Sequence, residues 1–197
     1  MTQAWVLSYN NAMKENCLEK NKIFRLVCRI VTTLACVLMM AFIFCNSLQT
    51  GEESATQSSA VVDTVQKVVA VFAPESPIAT ATGKAYEKLH STVRIVAHFL
   101  EFAVFGALCC WCWYSYTDKK IFLLAPTGAI VLVPVIDECL QTLTAGRAAE
   151  WLDIAVDISG GIVGGFCALC TLTIGILIYH KYKAKKADGA AAQSVAK

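Results

Sequence analysis

Arg94, His98 and Glu101 stand at i, i+4 and i+7, the spacing that puts three side chains on one stripe of a helix. Asp137 and Gln141 repeat the four-residue step, as do Asp153 and Asp157, with Glu138 beside the first pair and Arg147 between the two. These residue types support several chemistries. An imidazole with a nearby carboxyl can take and orient a proton, and neighbouring acids such as Asp137 and Glu138 can divide acid and base roles in a partly dry site. Two guanidinium groups can hold a phosphate, while an excess of acid suits sugars, amines or cationic head groups. No HEXXH, GxSxG or P-loop pattern accompanies them. Cys109, Cys110 and Cys112 are close in sequence but lack His or carboxylate partners nearby, whereas structural zinc requires converging ligands. No metal and no other cofactor is expected, and packing is the expected use of most of the ten cysteines.

The elements that must position these groups are apolar. The 197 residues are 56% hydrophobic and 16% charged, with a mean hydropathy of +0.55, which indicates a membrane protein with no nucleic-acid partner. No charge falls between Arg29 and Glu52, Glu101 and Asp118, Lys120 and Asp137, or Asp157 and Lys181. A spanning helix takes about 20 mostly apolar residues, so the first and last blocks qualify directly. The middle two reach that length only by taking in Arg94, His98 and Glu101, or Asp137 and Glu138. The expected fold is an all-α integral membrane four-helix bundle over residues 26–180, with spans at about 26–45, 92–116, 121–142 and 152–179 and an outer loop at 46–91. The first block is long and has no small-residue cleavage site, so it reads as a retained anchor.

Lys14, Lys20, Lys22, Arg25 and Arg29 place the basic segment 1–25 in the cytoplasm, and Lys181, Lys183, Lys185 and Lys186 do the same for the tail, 181–197. Trp111, Trp113, Tyr114 and Tyr116 form an interfacial belt before the short basic loop of Asp118, Lys119 and Lys120. Pro126 and Pro134 predict a kink or local unwinding in the third helix. In the outer loop, after the polar stretch Ser54 to Ser59, Val61, Val62, Val65, Val68, Val69 and Phe72 mark one face of an amphipathic helix, which either lies on the leaflet or caps the bundle. Pro74 and Pro77 end it, and Gly83 precedes a short charged helix carrying Lys84, Glu87 and Lys88.

At 1.5 Å per residue, Arg94 falls near the outer interface, His98 roughly 6 Å and Glu101 roughly 10 Å below it, and Asp137 and Glu138 roughly 5 Å below it. Asp157 falls at the same surface and Asp153 about one turn above. Facing lipid is expensive for a carboxylate, so these groups are expected to face inward and, with Arg147, to cap an outward-facing polar cavity. Gly160 with Gly164 and Gly161 with Gly165 form overlapping GxxxG pairs, whose expected use is close helix packing within the bundle, a homo-oligomer interface being the alternative.

The stretches FCNSLQTGEES, RIVAHFLEFAVFG and DECLQTLTAGRAAEWLDIAVDISGGIVGG resemble the VanZ-like family of small bacterial membrane proteins over roughly residues 25–180. The matching polar positions are Arg94, His98, Glu101, Asp137, Glu138, Gln141, Arg147, Asp153 and Asp157, with Ser47 and Gln49 weaker. Ile95 stands where a second basic residue is common, and Phe102 where Tyr is common. The resemblance implies a bacterial cell-envelope protein, similar to proteins that give low-level teicoplanin resistance. Its partner would be a membrane lipid, a lipid-linked envelope precursor or a lipoglycopeptide. An intramembrane hydrolase or transferase acting on an envelope lipid is the alternative, with His98 and Glu101 as base and orienter. Cation-coupled transport ranks below both, because one protomer has no inverted repeat and would need an oligomer.

Overall fold

The computed structural model describes residues 2–117 and 124–195, with side chains over 22–117 and 126–179 and at 181, 182 and 185. Five helices follow in order: α1 Thr2–Ser47, α2 Gly51–Phe72, α3 Lys84–Tyr116, α4 Leu124–Gln141 and α5 Trp151–Val195. The described residues contain no strand. Lys22–Ser47 of α1, all of α3 and Trp151–Tyr179 of α5 are long and apolar enough to cross a membrane. Large apolar side chains on these helices face outward, Leu34, Leu38 and Phe166 at 55%, 60% and 66% exposure, an arrangement that suits lipid and not water. The basic loop expected at Asp118, Lys119 and Lys120, and the expected start of the third span at Ile121, lie outside the described residues.

In the outer segment two boundaries differ from the sequence reading, and α1 and α5 also run on past the expected spans, from Thr2 and to Val195. The charged helix at Lys84 is continuous with the second span, because no breaker separates Glu87 from Thr92 and α3 runs through both. The loop helix begins at Gly51, ahead of the polar run at Ser54, because Thr50 caps it. The Thr50 hydroxyl accepts from the backbone N–H of Glu53 at 3.3 Å, and the Thr50 N–H donates to the Glu53 carboxylate at 2.9 Å, a reciprocal box that satisfies otherwise orphaned donors. The Thr50 N–H, together with the Thr50 hydroxyl donating to the same carboxylate oxygen at 3.0 Å, holds the Glu53 carboxyl below its ordinary pKa. α2 then leans on α3. Val62 is fully buried, Tyr86 donates to Asp63 at 3.1 Å, and Gln66 donates to the carbonyls of Ile78 and Ala81. Val68, Val71 and Phe72 stay outward.

α3 is the central helix and packs against each of the other four. Its Phe102 and Phe105 meet edge to face with centroids 6.5 Å apart, within a core shared with Ile43, Cys109 and Val133. Phe102 has no exposed surface, so this position serves packing. Lipid gives helices no hydrophobic reason to associate, and close backbone approach takes over. A Cβ on Gly160 or Gly164 would collide with the carbonyl of Phe99 or Ala103 on α3, and one on Gly161 would come within 2.7 Å of Ile130 on α4. Gly165 looks toward Cys110, 3.2 Å from where a Cβ would stand. The glycine pairs are thus consumed by contacts inside the chain. The described cysteines are free, and Cys36 and Cys109 pack with sulfurs 3.4 Å apart.

Candidate functional site

The stripe on α3 meets α5 and α1. Arg94 Nη2 lies 3.3 Å from Asp153 Oδ2, His98 Nδ1 lies 3.8 Å from Asp157 Oδ1, and Glu101 accepts from the Asn46 amide at 3.2 Å. Asp157 is fully buried, and neither of its oxygens has a hydrogen-bond partner among the described residues. Ile95, beside Arg94, points outward at 45% exposure.

The last turn of α4 supplies the acids. Asp137 is fully buried; one oxygen accepts from the Ser47 hydroxyl of α1 and the other from the Gln141 amide, one turn along its own helix, at 3.1 Å. Glu138 is equally buried and turns to the start of α5, accepting the Glu150 backbone N–H at 3.0 Å. One carboxylate therefore faces α1 and its neighbour ties two helix ends together, a division that their adjacency in sequence does not reveal.

Arg147 does something other than neutralise acids. Nη1 donates to the carbonyls of Asn46 and Ser47 at 3.3 and 3.2 Å, and Nη2 donates to the Ser54 hydroxyl at 2.9 Å. The last carbonyls of a helix lack intrahelical donors and carry partial negative charge, so a guanidinium at the end of α1 is a cap. The clamp is reinforced by the backbone. Gly51 N–H donates to Ala145 at 3.1 Å, Gly146 takes a φ of +76°, and a Cβ on Gly51 would stand 2.7 Å from the Gly146 carbonyl.

A cavity of about 300 Å³ opens between α1, α2 and α3, bounded by Asn46, Ser54, Arg94, His98, Glu101 and Arg147. Phe42, Val61 and Val93 supply its apolar wall, and Gln49 also reaches it. A second cavity of about 300 Å³ shares Arg94 and Arg147 and adds His90 and Glu150. Asn46 and Ser54 are polar residues of the first cavity whose part in it was not read from the sequence. Asn46 sits four residues before Thr50, in the last turn of α1, where a polar side chain at the end of an apolar run was the available signal.

Three helices long and apolar enough to cross a membrane, packed with buried ionisable side chains at one end, mark the class as a helical membrane protein. Residues 32–177 match the VanZ/LLP1 family, and the chain belongs to it. Comparison with curated proteins and with solved structures finds no match.

Proposed function

We propose that this chain is a four-span protein of the bacterial cell membrane, with both ends cytoplasmic, that binds the polar head of a lipid-linked or lipid-anchored amphiphile. The observation that carries this reading is the cavity itself. Arg94, His98, Glu101 and Arg147 reach it from the polar side, while Phe42 and Val61 give it an apolar wall, the combination an amphiphile needs. Its place between α2 and the span of α3 fits entry from the outer leaflet. A lipid-linked wall precursor or a lipoglycopeptide of the teicoplanin type presents such a head, so a resistance role would act through the same cavity. Native mass spectrometry with lipid extraction tests it. An envelope lipid retained by the wild type and lost from His98→Ala/Glu101→Ala supports the reading, and equal lipid content in two equally stable proteins rejects it.

An intramembrane hydrolase or transferase is the second reading, favoured by His98 and Glu101 lining the same cavity. Turnover of the retained lipid that disappears in His98→Ala would move the assignment to it.

A further inference from the structure

His98, Asp137 and Asp157 come from three helices, yet one ligand atom from each lies within 4.8 Å of the other two. Both aspartates are fully buried. Neither oxygen of Asp157, nor Nδ1 of His98 facing it, makes a hydrogen bond among the described residues. A buried carboxylate without donors is costly as an anion, and the polar atom facing it, His98 Nδ1 at 3.8 Å, is too far to make a hydrogen bond with it. Nearby cations are committed elsewhere, Arg94 to Asp153 and Arg147 to the carbonyls ending α1. The surroundings add acid, since Glu101, Glu138 and Asp153 bring the carboxylates to five against two guanidinium groups. What such a group of atoms lacks is a compact positive charge.

We propose that His98, Asp137 and Asp157 hold one divalent first-row cation, zinc being the best match, with Ser47 and Gln141 as positioning residues. One imidazole and two carboxylates form a three-ligand set that leaves a coordination position open, as catalytic zinc centres do. Calcium and magnesium favour oxygen ligands alone, whereas imidazole and carboxylate together suit zinc and its first-row neighbours. Asp137 is prepared for the role. Each of its oxygens is held by one donor, Ser47 or Gln141, and keeps a further lone pair, which is how outer partners orient a ligating carboxylate. Tetrahedral ligands at about 2.0–2.2 Å from zinc lie roughly 3.3–3.6 Å apart, so closing the set from 4.8 Å takes shifts on the order of 1 Å, within the reach of side-chain torsions. His98 also lines the cavity, which gives the ion a way in and lets a phosphate or carboxylate oxygen from the cavity complete its coordination. The site stands on these three residues whether or not the cavity takes an amphiphile.

The test uses the full chain in detergent, free of any histidine tag, stripped with a chelator and titrated with Zn2+ while bound metal is counted by elemental mass spectrometry. About one zinc per chain is expected, with affinity at least tenfold weaker in Asp157→Asn and about 10–100-fold weaker in Ser47→Ala. No stoichiometric zinc on the wild type, or equal affinity in wild type and Asp157→Asn, overturns the site. Co2+ provides a readout on the wild type alone, should Asp157→Asn not fold. A visible cobalt spectrum without a thiolate charge-transfer band is expected, and a thiolate band would put the ion on cysteines and reject the assignment.

Discussion

At one end of the packed helices, Arg29 donates Nε–H to the Ser115 carbonyl at 2.9 Å and stacks 5.3 Å from the Tyr116 ring. There the Tyr116 hydroxyl meets that of Thr33 at 3.0 Å, and the Ser115 hydroxyl donates to the Cys112 carbonyl at 2.7 Å. At the other end, Asp157, one oxygen of Glu138 and His98 Nδ1 are buried without hydrogen bonds among the described residues. The two ends are joined by the same α1 and α3, so the chain can satisfy a half-buried charge when its partners lie in adjacent turns. The deficit at the carboxylate end is local. It belongs to the residues gathered there and not to poor packing, because the glycines beside it seat α5 so tightly on α3 that a Cβ would collide with the Phe99 and Ala103 carbonyls.

The contrast can be broken at its foundation first. Gly164→Val puts a branched side chain where the Ala103 carbonyl stands, and a loss of more than about 3 kcal/mol is expected. Circular dichroism during thermal unfolding in detergent measures it, with Gly175→Ala, which has nothing within 4 Å, as the silent control. Arg147→Ala comes next. It removes three donated bonds from the junction of α1, α2 and the α4–α5 loop and is expected to lose about 3 kcal/mol, with Arg147→Lys recovering only part because an ammonium cannot fork across two carbonyls. Unfolding by titrated sodium dodecyl sulfate reports both.

A pair of substitutions sharpens the contrast. In chelator-treated protein, Asp157→Asn is expected to gain about 1–2 kcal/mol and Arg29→Met to lose about 1–2 kcal/mol. Opposite signs are the point, and equal signs would remove the distinction between the ends. The smallest effect belongs to neither end: Thr50→Ala should cost about 1 kcal/mol or less, seen as faster hydrogen exchange in the first turn of α2. Because the Glu53 carboxyl titrates below its ordinary value, the support it gives α2 is present above the free glutamate range and is lost as pH falls through its folded pKa. A first turn that protects equally at both extremes would contradict that linkage.

Much of this was legible from periodicity. The four-residue steps placed Arg94, His98 and Glu101 on one stripe, and apolar block lengths located the helices. The division of labour was less so. Arg147 read as a group capping a polar cavity, but its bonds to the Asn46 and Ser47 carbonyls were not readable, since backbone carbonyls have no signature in a sequence. His98, Asp137 and Asp157 form no motif because they lie tens of residues apart on separate helices, and only the packing of α3, α4 and α5 brings them together. The start of α2 was readable and passed over, since Thr50 and Glu53 are spaced as a capping box.

The seating of Gly160 and Gly164 on the carbonyls of Phe99 and Ala103 has a consequence for how such a protein can change. The axial register of α5 against α3 is set by main chain against main chain, so His98 and Asp157 face each other without their attraction being needed to bring them there. Side chains in the layer are then interchangeable parts on a fixed ruler. A descendant could swap carboxylates, amides or imidazoles one at a time, changing the chemistry of the layer, while the frame that aligns them stays as it is.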